Sequence, residues 1–197
     1  MISNSEIRAR AREILGGGIF KSEWLYALLI VLVVSLVSGL LSATYVGSII
    51  VYGVLMVAAA TYFVGRVRGE IEYKDINSAI EGCKKNPVGS ILTGLLYTLF
   101  ISLATFLFIV PGIILSCSYA MTFYIRNDNP EIGVMDALKE SARMMNGHKM
   151  QYFTLQLSFI GWLIVGSFCF GIGSLWVSAY METSKAIFYE ELKNSQF

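Results

Sequence analysis

The sequence predicts an all-α membrane protein with six transmembrane helices arranged as three hairpins, each preceded by an interfacial amphipathic helix. Three observations predict this class. First, 55% of the 197 residues are hydrophobic and only 15% are charged, against about 25% charged in soluble domains. Second, the charges leave long gaps: 42 uncharged residues from Trp24 to Gly65, 40 from Asn86 to Ile125, and 32 from Met150 to Met181. A helix rises ~1.5 Å per residue and the hydrocarbon core is ~30 Å thick, so one crossing takes about 20 residues. A block of 40 or 42 residues therefore crosses, turns and comes back. Third, Lys and Arg fall only between the blocks and at the ends.

Taken in order, the spans are 24–44, 47–65, 88–110, 113–126, 151–170 and 174–189. Turn signals divide each block: Ser42-Ala43-Thr44-Tyr45-Val46-Gly47, Pro111-Gly112 and Gly171-Ile172-Gly173, where Gly and Pro punctuate helices. Arg8, Arg10, Arg12 and Lys21 precede the first span, and Arg66, Arg68, Lys74, Lys84 and Lys85 follow the second. Arg126, Lys139, Arg143 and Lys149 follow the fourth, and Lys193 follows the sixth. The three turns on the far side carry no charge. The positive-inside rule then places both termini in the cytoplasm. Trp24, Tyr26 and Tyr45 fit an aromatic belt at the interfaces. The polar, basic start and an apolar run longer than the ~7–15 residues of a signal-peptide core lead us to expect no signal peptide.

A short amphipathic segment precedes each hairpin. Ser5 to Leu15 alternates Arg8, Arg12 and Glu13 with Ile7, Ala11, Ile14 and Leu15. Lys74 to Lys85 sets Ile76, Ala79, Ile80 and Cys83 at helical spacing. In the third, Val134, Ala137, Leu138, Ala142, Met144 and Met145 largely share a face, with Asp128-Asn129-Pro130 ahead of it and Gly147 as the stop. These segments read as helices in the cytoplasmic interface; loop helices packed on the bundle fit the same pattern. The chain forms one membrane domain with three candidate repeat units, 5–66, 74–126 and 132–190. Gly112, Tyr119 and Thr122 correspond to Gly173, Tyr180 and Thr183 at a constant offset of 61 residues.

Continuing the third block to Tyr189 brings it to 40 residues and places Glu182 and Lys185 inside the sixth span. A charge at a helix centre in the membrane costs at least ~2.5–3.5 kcal/mol. Glu182 and Lys185 stand three residues apart, close enough to pair on one helical face. With Tyr180, Thr183, Tyr119 and Thr122 they form a candidate intramembrane polar site. The alternative is a short or thinned span with Lys185 snorkelling to the inner interface. Ile113 to Ile125 is only 13 residues and carries Ser116, Ser118, Tyr119, Thr122 and Tyr124. This fourth span is expected to sit among neighbours or line a cavity, where small residues such as Gly89, Gly94, Ser102, Ala104, Gly161 and Gly166 allow close approach.

No catalytic constellation stands out. Cys83, Cys117 and Cys169 lie far apart, without metal or disulfide spacing. The single histidine, His148, reads as a cationic helix end at the interface. There is no phosphate-cradling GxxxxGK[ST] loop and no HExxH zinc motif. The expectation is a non-enzyme with no metal, no cofactor and no nucleic-acid partner.

Three stretches carry a family resemblance: Arg68-Gly69-Glu70; Pro111-Gly112-Ile113-Ile114 through Tyr119 to Asp128-Asn129-Pro130; and Gly147-His148-Lys149 with Leu157 to Trp162, Gly171-Ile172-Gly173 and Phe188-Tyr189. In this order they resemble the bacterial integral-membrane family known as domain of unknown function 975. The basic start fits too, so the resemblance runs over essentially the whole chain. More distantly, the chain is similar to the membrane domain attached to some glycerophosphodiester phosphodiesterases. That domain is not their catalytic part, so no active site is implied. The sequence departs from the pattern at Ser178, where the family has proline ahead of the tyrosine, which removes the basis for a kink in the sixth span. The resemblance implies a bacterial cytoplasmic membrane and brings no known activity.

Two functions remain open on the sequence. One is binding or helping to transport a lipid, peptide or small amphiphile. The other is a non-catalytic scaffold or accessory subunit of a transporter or envelope-stress system. Membrane lipids are the expected partners in either case, and a membrane protein partner in the second.

Overall fold

The computed structural model describes residues 2–16, 22–41, 45–72, 77–107, 109–168 and 172–195. Every regular element among them is a helix. In chain order these are α1 (Asn4–Ile14), α2 (Ser22–Leu41), α3 (Tyr45–Arg68), α4 (Asn77–Lys85), α5 (Pro87–Leu107), α6 (Ile109–Ser118), α7 (Thr122–Asp128), α8 (Val134–Met144), α9 (Lys149–Phe168) and α10 (Ile172–Asn194). A short helix followed by long ones recurs three times, the last long segment of the second set being split into α6 and α7.

Local chemistry sets the ends. Ser3 and Glu6 form a reciprocal capping box at the start of α1, each satisfying a backbone N–H that the first turn leaves unpaired. Asn86 caps α5: its side-chain oxygen accepts from Gly89 N–H at 3.0 Å, and Pro87 takes the first helical position, where its missing N–H costs nothing. Gly69 ends α3 at φ +74°, with Glu70 N–H donating to the Gly65 carbonyl and Gly69 N–H to that of Arg66. That left-handed cap suits glycine, which has no Cβ to clash.

α3 and α10 are the centre of the bundle. α3 packs on α2, α4, α5, α7 and α10, and α10 on α1, α2, α3 and α9. Two glycine contacts let helices touch backbone to backbone. A Cβ on Gly94 of α5 would lie 2.6 Å from the Gly53 Cα of α3, and one on Gly166 of α9 would lie 2.8 Å from the Gly173 carbonyl carbon of α10. Gly89 makes room for the Arg126 guanidinium. Gly161, by contrast, faces open space, and Ser102 is exposed.

The amphipathic helices pack by their apolar faces. α1 buries Ile7, Ala11 and Leu15 and lies against α9 and α10. α8 buries Ala137, Leu138, Met144 and Met145, while Val134 and Ala142 are only partly covered. α4 rests on α3 where Gly82 meets Thr61. Residues 74–76 of the second amphipathic segment lie outside the described residues.

The fourth long segment departs from expectation. Pro111 and Gly112 are not the turn; both lie within the first turns of α6. Proline is tolerated there because those N–H groups lack a helical partner in any case. Gly112 serves packing, since a Cβ on it would strike Thr105 of α5. The segment therefore starts earlier, and Ile109 to Asp128 gives about 30 Å at ~1.5 Å per residue. It is not one helix either. The chain leaves helical geometry at 119–121, and the buried Ser141 of α8 repairs the break, donating to the Ser118 carbonyl (2.8 Å) and accepting from Met121 N–H (3.1 Å). Of the other two turn signals, residues 42–44 and 171 lie outside the described residues, while Tyr45-Val46-Gly47 and Ile172-Gly173 are already helical.

Among the described residues, one helix, Pro87–Thr105, is long and apolar enough to cross a membrane, and Glu23–Val37 forms a shorter apolar stretch. Large apolar side chains also point outward. Leu92, Leu95, Leu99 and Leu103 form an exposed stripe on α5, Leu25, Leu29, Leu32 and Leu36 one on α2, and Leu157, Ile160, Ile164 and Val165 one on α9. The inward side of α5 carries Ser90, Thr93 and Gly94 instead.

Candidate functional site

α10 supplies the polar side chains of the core. At about 100° per residue, Glu182, Lys185, Tyr189 and Lys193 fall on one face of α10. That face looks at α7, which offers Tyr124 and Asp128 one turn apart. Lys185 donates to Glu182 at 2.7 Å, with both side chains less than a fifth exposed. The Tyr124 hydroxyl reaches the other Glu182 oxygen at 3.4 Å, and its ring stacks on Tyr189 at 5.4 Å.

Lys185 also lines a pocket of about 360 Å³. Tyr52 of α3, Tyr97 of α5, Tyr124 of α7, Tyr152 and Gln156 of α9 complete its polar side. Gln156 donates to the Tyr152 hydroxyl at 2.7 Å. Ser116 and Cys117 of α6 lie on the same wall, with Met56 and Phe153 giving apolar surface. One ammonium, already paired, thus faces a mostly aromatic chamber with several hydroxyls. Such a chamber can hold an apolar body with one polar or anionic end. Among the described residues no group of His, Cys, Asp or Glu could hold a metal.

A second polar cluster closes the end of the bundle where α3, α7 and α10 finish. A single Asp128 oxygen accepts from Arg68 (2.7 Å), Lys193 (2.6 Å) and Tyr189 (2.9 Å), and Arg68 also reaches Glu190 at 2.7 Å. Burial works to raise the Asp128 pKa, but the hydrogen bonds from Arg68, Lys193 and Tyr189 outweigh it and hold the carboxyl below its ordinary value of 3.8. Burial works against the Arg68 charge, and its hydrogen bonds to Asp128 and Glu190 more than reverse that, raising its pKa.

The predicted site residues divide. Glu182 and Lys185 are together as expected. Tyr180 stands about 200° around the helix from Glu182, and its hydroxyl donates instead to the Arg8 carbonyl at 2.9 Å. Thr183 is buried and donates to the Ala179 carbonyl. Thr122 donates to the Tyr119 carbonyl across the α6–α7 break, and the Tyr119 ring packs on Phe100. None of these four lines the Lys185 pocket. Tyr52, Tyr97, Tyr124, Tyr152 and Gln156 take their place, each from an uncharged block whose tertiary partner no local spacing reveals.

Residues 106–196 match the model of a protein family described as protein of unknown function (DUF975). This is the family that the sequence motifs resemble. The matched stretch of DUF975 runs from the end of α5 through α10 and includes Tyr124, Asp128, Glu182, Lys185 and Tyr189. Arg68, of the motif Arg68-Gly69-Glu70, lies before it but closes on Asp128. Neither the curated proteins nor the solved structures yielded a match.

Proposed function

We propose that the chain is a six-span bacterial membrane protein, both termini cytoplasmic, that binds a small amphiphile with its polar end in the Lys185 pocket. The spans are 24–44, 47–65, 88–107 and 109–127 in their corrected form, 151–170 and 174–189. The observation that carries the binding reading is the pocket itself: an ion pair at mid-helix depth on α10, opening onto a space walled by aromatic rings from several helices. A charge kept within a membrane-spanning segment is expensive and marks a functional position by default.

The membrane reading draws support from the outward leucines of α2, α5 and α9. In water, continuous exposed apolar stripes of this kind drive aggregation; in lipid they are matched to the solvent. The three basic connections fall on one side of the predicted topology. The scaffold alternative calls for a dry interior, and the Lys185 pocket favours binding over it.

Ligand capture tests the proposal. Native mass spectrometry of wild type, extracted in mild detergent, is expected to show a co-purified amphiphile adduct. The double variant Glu182→Gln/Lys185→Met should lose it. Both members of the pair are replaced because a single change strands a buried charge, at a cost of about 3–5 kcal/mol. The same adduct on both proteins, or none on wild type, refutes the pocket as a binding site.

A further inference from the structure

The chain contains three tryptophans, and all three line one groove. Trp24 comes from α2, Trp162 from α9 and Trp176 from α10, enclosing about 520 Å³ together with Tyr180. This groove shares no residue with the Lys185 pocket. Its mouth is basic: Arg8 and Arg12, one turn apart on α1, complete the lining.

The mouth is held in place by packing. The Tyr180 hydroxyl donates to the Arg8 carbonyl at 2.9 Å, and the Tyr180 ring sits against Trp24 and Phe159. Asn4 donates its side-chain amide to the Gln151 carbonyl at 3.0 Å and Gln151 donates to the Ile2 carbonyl at 2.9 Å, tying the start of α1 to α9. The basic neighbour on the same helix, Arg10, is spent on Glu191 at 2.6 Å. Among the described residues, neither the Arg8 nor the Arg12 side chain has a carboxylate partner. The groove thus joins two uncompensated guanidiniums at one end to an indole-lined slot at the other. Trp176 lies one helical turn, ~5.4 Å, beyond Tyr180 along α10.

We infer that this groove binds an anionic phospholipid, its phosphate held between Arg8 and Arg12 and its acyl chains laid along Trp24, Trp176 and Trp162. Guanidiniums match phosphate oxygens in a planar fork. Indoles favour the depth where headgroup gives way to chain. The volume falls within the ~300–1,000 Å³ of small-molecule sites. A free phosphate would leave the aromatic slot empty, and a zwitterionic lipid would present its own cation to the arginines. The inference shares with the proposed function only the bilayer setting; the ligand sites are separate, so either can fail alone.

Because every tryptophan lines the groove, intrinsic fluorescence reports on it directly. The purified full chain in detergent micelles is titrated with phosphatidylglycerol or phosphatidylcholine, each brominated on its acyl chains as a quencher. Wild type is expected to be quenched at about tenfold lower phosphatidylglycerol than phosphatidylcholine, since each surface arginine contributes several-fold to anionic-lipid affinity. The Arg8→Gln/Arg12→Gln variant should bring the two lipids within about twofold. Lys84→Gln/Lys139→Gln removes the same charge elsewhere and should keep the preference. Arg8→Lys/Arg12→Lys keeps the charge but loses the planar fork, so it should hold a preference between those of wild type and the glutamine variant, and it provides the readout if the glutamine variant does not fold. Equal quenching by both lipids in wild type overturns the inference. So does a preference indifferent to Arg8 and Arg12, or relief of phosphatidylglycerol quenching by millimolar glycerol phosphate.

Discussion

Asp128 carries more of the electrostatic organisation than any residue the sequence singled out. It draws donors from α3 and α10 onto one oxygen and so fastens three helix ends. Its folded pKa is depressed, so its contribution is fully present above about 3.8 and disappears as pH falls through the folded value. Asp128→Asn should cost about 2 kcal/mol at neutral pH, below the ~3–5 for a fully buried pair because the site is partly wet. Thermal melts in detergent should show the gap between wild type and variant closing as pH drops below 4. A gap that stays constant down to pH 3 would contradict this role. The sequence shows the aspartate within the Asp128-Asn129-Pro130 motif but not its partners, which are remote: Arg68 is 60 positions away and Lys193 65. The Glu182–Lys185 pair was legible because its spacing is local. The Tyr180 and Thr183 hydroxyls turn elsewhere, as the helix period requires: Tyr180 stands about 200° from Glu182 and Thr183 about 200° from Lys185 around α10.

At the scale of elements, charge gaps located the long helices well, since desolvating charge is what delimits them. Turn residues located the ends less well. Pro111 reads as a breaker in the sequence, yet within the first turn of α6 it breaks nothing. The break at 119–121 has no glycine or proline to announce it and depends on Ser141 from another helix. Close packing was partly legible, as Gly94 and Gly161 illustrate. Gly94→Ala would drive a methyl into the Gly53 backbone and should destabilise by about 1–3 kcal/mol. Gly161→Ala meets nothing within 4 Å and should be neutral or slightly stabilising through helix propensity. The comparison is read as the shift in melting temperature in detergent; equal effects would show that the α3–α5 contact does not limit stability.

For the whole molecule, the arrangement is three sets of a short amphipathic helix and long apolar segments gathered around α3 and α10. Polar groups are drawn inward to the Lys185 pocket and the Asp128 cluster, and leucines are turned outward. The outward leucine stripes are the basis of the six-span proposal. Its most direct test is the sidedness of single reporters in living cells. Cysteines or tags are placed at 43, 108 and 170, and separately at Asn77, at Lys139 and after Phe197. The six-span arrangement predicts that the first three are reached only from outside and the last three only from the cytoplasm; any one of them reporting from the opposite side would contradict it.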